Sequence, residues 1–386
     1  MQNNIYVTSP LLPPLEEFIP YLQTIWQNRV LTNGGDFHHQ LEDALANYLG
    51  VKYVSLFSNG TLALLTALQT LRITGEVITT PYSFAATSHS LLWNGIKPVF
   101  ADINPQTFNM EPAAIEKLIT PHTSAILPVH CYGIPCDTGR IQKIADTYGL
   151  KVIYDAAHCF GVKVNNSSLL NEGDLSVLSF HATKVFNTFE GGAIISHDIK
   201  TKQRIDYLKN FGFADETTIM APGINGKMNE LQAAMGLLQL QYIDKALDER
   251  AAIYSRYVNL IKERMPLVNY IKPDASIKWN YAYFPILFRD DILALRDPIY
   301  HTLREHGVFA RRYFYPLISE FSMYRHFPSA DASKLPVAWR ISRGILCLPI
   351  YPGLTHEDQN RIITIIDNEL SIQKGLLPEP QAINYN

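Results

Sequence analysis

The sequence predicts an α/β architecture with a mainly parallel sheet, followed by a smaller α+β unit. Two observations carry the first part: short apolar strands recur between residues 52 and 196, and helical stretches alternate with them. A third observation, a change of pattern near residue 227, marks the approach to the smaller unit.

The elements follow in order. KYVSLF (52–57) reads as a buried strand, SNGT as a turn, and LALLTALQTL as a helix. EVITT is a short strand, the stretch around His89–Trp93 is helical, KPVFADI is a strand and EPAAIEKLI a helix. SAILPVH, KVIYDAAH, LSVLSF and GAIIS are further strands, with TGRIQKIADTYG as the helix between the first two. Strands connected through helices pair in parallel by right-handed crossovers. From Lys227, apolar residues at helical spacing (Met228, Leu231, Met235, Leu238) continue for too many turns for one ordinary helix. Two helices are expected, the second bridging to a new unit. This divides the chain into a large unit, 1–244, and a small one, 245–386. In the latter, WNYAYFPILF reads as a strand with aromatic alternation, and 291–306 and 355–370 as helices. The tail KGLLPEPQAINYN reads as loosely ordered.

Composition narrows the function. The chain has 386 residues, 47% hydrophobic and 18% charged, enough for a large core. A net charge of −3 gives no reason to expect nucleic-acid or anionic-membrane binding. MQNNIYVTSP does not read as a signal peptide, and no apolar run approaches the ~20 residues that span a bilayer. The four cysteines, Cys131, Cys136, Cys159 and Cys347, fit neither a zinc site nor a disulfide framework, so a reducing cytoplasm is expected. His38–His39 shows no partner at ligand spacing, and no metal is expected.

Ligands of open parallel sheets bind beyond the carboxyl ends of the strands, so the residues after each strand are the candidates. Gly60 and Thr61 open a helix whose free N–H groups suit a phosphate; the same turn also suits an ordinary helix cap. Asp155 ends an apolar strand and needs a cationic partner, which a pyridinium N–H or a structural cation could supply. Lys184 lies just past LSVLSF, where one strand–turn–strand excursion could bring it near Asp155. Its amine can form an imine with an aldehyde cofactor and move protons, although most lysines are simply solvated. Phe84 offers a ring for stacking and Ser179 a further hydroxyl for a phosphate. Taken together these residues supply what pyridoxal 5'-phosphate requires.

The chain resembles the DegT/DnrJ/EryC1/StrS sugar aminotransferases, which share the aspartate-aminotransferase-like (fold type I) fold. The motifs are SNGTLAL (58–64), PYSFAAT (81–87), PVHCYGIPCD (128–137), YDAAHCFG (154–161), SFHATKVFNTFEGGA (179–193) and GINGKMNELQAAMGLLQL (223–240). The resemblance implies that Gly60, Thr61 and Ser179 hold the phosphate, Phe84 covers the ring and Asp155 pairs with the pyridine nitrogen. It implies that His158 reaches the ring oxygen, Lys184 is the Schiff-base residue, and Asn225 reaches the phosphate of a neighbouring subunit in a homodimer. His181 near Lys184, and Arg312 and Tyr313 within VFARRYFYPL, are placed on the substrate side. Cys131 stands where the family often has leucine and reads as a small apolar replacement. VFNTFE after the lysine looks more like members acting at C4 than at C3.

The resulting expectation is a nucleotide-sugar aminotransferase. It takes the amino group of L-glutamate to a nucleotide-linked keto sugar, first dTDP-4-keto-6-deoxy-D-glucose, for a surface polysaccharide such as O-antigen. The alternatives are a C3-aminating transaminase, a sugar dehydratase, and a non-enzymatic cofactor-binding regulator. Dehydratase relatives carry histidine in place of the Schiff-base lysine, and Lys184 argues against that reading.

Overall fold

The computed structural model describes residues 4–374, with side chains through residue 372. Apart from Lys374, the tail expected to be loosely ordered lies outside the described residues.

The strands of the first half assemble into one seven-stranded sheet in the order Tyr53–Phe57, Gly192–Ser196, Leu175–Ser179, Lys151–Asp155, Thr123–Leu127, Glu76–Thr79, Lys97–Phe100. Gly192–Ser196 runs antiparallel to both neighbours, while every other adjacent pair is parallel. The exception follows from connectivity. Residues 180–191 return the chain without a helix, so the next strand must come back antiparallel. The sequences VSLF, VIT, AIL, VIYD and LSVL are buried along almost their whole length, because helices cover both faces. All parallel strands therefore end on one rim, which carries Ser58, Thr80, Asp155 and Ser179.

Sequence-local caps fix the helices that feed this rim. Asn59 caps Gly60–Thr70 by accepting from the Leu62 N–H, and Asn229 forms a reciprocal capping box with Gln232 at Glu230–Leu240. The expected pair of helices after residue 227 is Glu230–Leu240 and Ile243–Arg264. In the second, Ala246, Arg250, Ile253, Tyr257 and Ile261 are buried at helical spacing and lead into the next core.

That core holds a three-stranded antiparallel sheet, with Phe284–Phe288 between Val268–Tyr270 and Ile345–Leu348, packed with Arg296–Glu305 and His356–Lys374. Here the strand expected over WNYAYFPILF is shorter, and all five of its residues are buried. Residues 279–283 instead cross to the large unit. Trp279 donates its indole N–H to the Tyr132 carbonyl (3.0 Å), and Asn280 donates to the carbonyls of His158 (2.8 Å) and Phe160 (2.9 Å). Their aromatic alternation reflects packing between units, a pattern that mimics a half-buried strand.

Three N-terminal elements had no counterpart in the sequence reading. Ile5–Tyr6 pairs in parallel with Val308–Phe309, so the described chain starts against the small unit. Leu15–Asn28 and Asp36–Leu49 are helices that pack on Glu230–Leu240. A second tie is Asp102, whose carboxylate accepts the first N–H groups of Pro336–Gly344 from Val337 (3.0 Å) and Ala338 (2.8 Å). No helix among the described residues is long and apolar enough to cross a membrane.

Candidate active site

The rim gathers the candidates from separate strands. Gly60 is the first residue of its helix, and a side-chain carbon there would lie 3.1 Å from the Ser179 Cβ and 3.3 Å from its Oγ. The absence of a side chain thus lets the helix N-terminus and the Ser179 hydroxyl converge. A side chain at Gly192 would meet Asn59 and Gly60 backbone at 2.7 Å, so the neighbouring strand also needs glycine to admit this turn. Because Asn59 satisfies Leu62, the cap and the phosphate readings of SNGT coexist. The Gly60 and Thr61 N–H groups and the exposed Thr61 hydroxyl remain available to an anion.

Asp155 is buried, and burial pushes its carboxyl pKa up. Three features oppose that cost: the Thr87 hydroxyl donates at 2.7 Å, the Ala157 N–H donates at 3.1 Å, and the Lys184 charge attracts it. Lys184 is half-buried in the 180–191 excursion, its N–H bonded to the His181 carbonyl at 2.9 Å. The following Val185 and Phe186 are buried, and the Phe186 ring stacks on Phe160 at 4.4 Å, which pins the segment. Burial lowers the Lys184 ammonium to about 8, against the raising fields of Asp155 and Cys159. Such an amine is a stronger nucleophile at neutral pH than an exposed lysine.

His158 is buried and stays neutral, its pKa held well below the ordinary value by burial and then by Lys184. The Tyr132 N–H donates to its Nδ1 at 3.1 Å, which puts the ring proton on Nε2. The ring is clamped between Phe314, parallel at 6.1 Å, and Tyr283, edge-on at 4.8 Å. The residues therefore fit pyridoxal 5'-phosphate: an anion cradle at Gly60, Thr61 and Ser179, a buried carboxylate for a ring N–H, a donor at His158 and a poised amine.

The remaining candidates are spread around this group. Phe84 sits at the start of the helix Ala85–Trp93 with 63% of its surface exposed. Asn225 is exposed and bridges to Asn210 at the base of an exposed loop. His181 accepts from the Thr183 N–H at Nδ1 (3.2 Å) and lies 3.5 Å from the Glu190 carboxylate. Arg312 bonds Asp297 at 2.8 Å, its guanidinium 4.3 Å from the Tyr300 ring centroid and 5.1 Å from that of Tyr315. Tyr313 lines a small cavity that also touches Thr183, next to Lys184. Its carbonyl accepts from the Tyr82 hydroxyl at 3.0 Å and from that of Tyr132 at 2.5 Å.

Sequence reasoning missed Thr87 and Tyr132. Thr87 stands three positions after Phe84 inside the quoted PYSFAAT motif, so its position was a usable signal. The Tyr132 N–H reaches His158 because Tyr132 has φ +56°, which spacing does not reveal. The reading of Cys131 as packing agrees with a fully buried thiol whose pKa burial pushes up.

The statement that His38–His39 lacks a partner is corrected: one helical turn on, Glu42 brings the three possible ligand atoms within 4.8 Å of one another. Yet Glu42 already accepts from Lys202 (2.9 Å), Lys209 (3.2 Å) and the Leu56 N–H (3.0 Å), and two ammonium groups oppose a cation there. The cluster is a charge network.

Comparison with known proteins agrees with this geometry. The model of the DegT/DnrJ/EryC1/StrS aminotransferase family matches residues 15–367. The chain is 54% identical to the Escherichia coli dTDP-4-amino-4,6-dideoxy-D-glucose transaminase, over 92% of this chain and 95% of that one. It is 51% identical to the Shigella dysenteriae protein of the same name, over 95% and 99%. Among solved structures, DesI in the presence of its TDP-sugar product superposes with a TM-score of 0.91 at 32% identity, covering 97% of this chain and 96% of that one.

Proposed function

We propose, from the premise that the chain belongs to the DegT/DnrJ/EryC1/StrS aminotransferase family and is pyridoxal-phosphate dependent, that it transfers the amino group of L-glutamate to C4 of dTDP-4-keto-6-deoxy-D-glucose. The observation that carries the reaction class is the poised Lys184 amine set against buried Asp155. The substrate assignment rests on the names of the E. coli and Shigella relatives.

Each residue then has a task. Gly60, Thr61 and Ser179 hold the phosphate, and Phe84 covers one ring face. Asp155 keeps the ring nitrogen protonated, and the His158 Nε2–H donates to the ring oxygen. The bound cofactor supplies an electron sink that acidifies the amine-bearing carbon. Lys184 lifts a proton from one carbon and returns it to the other, which suits an amine whose pKa lies near 8. His181, Arg312 and Tyr313 face the nucleotide-sugar. The large unit, 1–244, carries the cofactor, and 245–386 is the small unit.

The active form is a homodimer with shared sites, in which Asn225 reaches the partner's phosphate. Supporting this, the loop before Asn225 exposes Phe211, Ile219 and Met220, with Ile219 62% and Met220 58% exposed. The compartment is the cytoplasm, consistent with four buried free thiols. The product enters a surface polysaccharide such as O-antigen.

The test incubates the holoenzyme with L-glutamate and a panel of nucleotide keto sugars, reading products by mass and NMR. A 4-amino-4,6-dideoxy sugar from the dTDP substrate is expected. Amination at C3, or a deoxygenated product, would overturn the assignment.

A further inference from the structure

One side chain of the crossing segment 279–283 spends both of its amide hydrogens on the backbone around His158. Asn280 is buried, and its Nδ2 donates to the carbonyls of His158 (2.8 Å) and Phe160 (2.9 Å). Its Oδ1 accepts the Ala282 N–H at 3.1 Å, which fixes which end of the amide faces which partner. An acid or an apolar side chain at this position would leave both carbonyls unbonded.

Trp279, also buried, acts on the other side of the same imidazole. Its indole N–H holds the Tyr132 carbonyl at 3.0 Å, and the Tyr132 N–H donates to the His158 Nδ1 at 3.1 Å. The junction is close enough to need glycine. A side-chain carbon at Gly133, where φ is +80°, would lie 2.8 Å from the His158 carbonyl, 3.0 Å from the Asn280 Oδ1 and 3.1 Å from the Trp279 Nε1. The rings of Phe314 and Tyr283 set the plane of the imidazole but accept either of its two flipped orientations. The Tyr132 N–H selects one of them, because it needs a ring nitrogen as its acceptor.

We propose that Trp279 and Asn280 are positioning residues for His158: through the Tyr132–Gly133 turn and the His158 carbonyl they fix the flip and tautomer of the imidazole, and so aim its Nε2–H. This rests on the reading of His158 as the donor to the cofactor's ring oxygen, and it assigns the aim of that donor to a segment outside the large unit. A purely structural tie would hold the two units together and leave the imidazole as it is.

Two measurements separate these cases. The first follows the histidine ring nitrogens of the cofactor-free protein by 15N NMR, with His158→Phe identifying the His158 signals. Wild type should show one neutral form with the proton on Nε2. Trp279→Phe, which keeps a ring and removes the N–H, and Asn280→Ala should each shift those signals or add the second tautomer, while the signals of buried His38 stay in place. The second is a double-mutant cycle on the holoenzyme, read as kcat with L-glutamate and the keto sugar. Asn280→Ala is expected to lower kcat about tenfold when His158 is present and by less than about twofold in the His158→Phe background. Should Asn280→Ala fail to fold, Trp279→Phe carries both measurements. His158 signals unchanged in the variants, or equal kcat losses in the two backgrounds, would overturn the proposal. His158→Phe with the visible cofactor band and kcat of wild type would instead overturn the parent reading of His158, and the ring signals of the cofactor-free protein would still decide whether Trp279 and Asn280 set the imidazole.

Discussion

Two buried acid–lysine arrangements lie in the same large unit and do opposite things. Around Glu42, Lys202 and Lys209 are both in contact, Asp206 joins them, and every charge has a near counterpart. Its lysines overcome the desolvation of the carboxylate and hold Glu42 at about 2, while Lys209 is raised above its usual pKa by its acids. At the rim, Asp155 and Lys184 feel each other without forming an ion pair at contact distance. Asp155 is raised and Lys184 lowered, because desolvation exceeds their attraction. Breaking a saturated charge network destabilises a fold, whereas unsaturated buried charges cluster at functional sites. Residue type does not distinguish the two lysines. Partners do.

The largest expected effect breaks the rim side of this contrast. Lys184→Ala should reduce turnover by ~10⁴-fold, since both capture of the cofactor and proton transfer are lost. Product formation from glutamate and the keto sugar measures it, and turnover within tenfold of wild type would contradict the assignment. Asp155→Asn should follow with a ~10²–10³-fold loss, because the ring nitrogen loses its counter-charge. The cofactor should still be covalently held in that variant, which a mass measurement checks.

The network side breaks differently. Glu42→Gln leaves Lys202 and Lys209 with Asp206 as the acid still in contact and should cost about 1–3 kcal/mol of unfolding free energy, read by urea denaturation. Its donor half-reaction should stay near wild type at a temperature where the variant is folded. A variant as stable as wild type would show that the network is not needed.

The smallest effect is in pH. The Lys184 amine is protonated below about 8 and neutral above it. The rate at which cofactor-free protein captures added pyridoxal phosphate should therefore rise as pH approaches 8 and then level. Because the folded pKa lies below the ordinary 10.5, the unfolded chain binds more protons between those values. Stability of the cofactor-free protein should rise with pH across that window and fall as pH drops back through 8. Lys184→Met should remove this contribution while leaving the dependence at acid pH that the lowered Glu42 contributes.

The contrast also explains what was legible beforehand. The rim was readable because its residues follow strands whose apolar runs announce them: Gly60–Thr61, Asp155 and Ser179 each stand at or just beyond a strand end. The Glu42 network was not, because its members come from residues 42, 202, 206 and 209, joined only by tertiary packing. The N-terminal helices escaped notice because their apolar residues sit among Pro13, Pro14 and Pro20 and a Gly34–Gly35 break. The segment 279–283 looked like a strand because residues wedged between two units can alternate as strand residues do.

The central claim is that the unsaturated lysine, and not a saturated one, holds the cofactor. Borohydride reduction of the holoenzyme, digestion and peptide mass spectrometry test this most directly. The account predicts the cofactor mass on the peptide containing Lys184, with the peptides of Lys202, Lys209 and Lys227 unmodified. The cofactor on any of those three, with Lys184 unmodified, would contradict it.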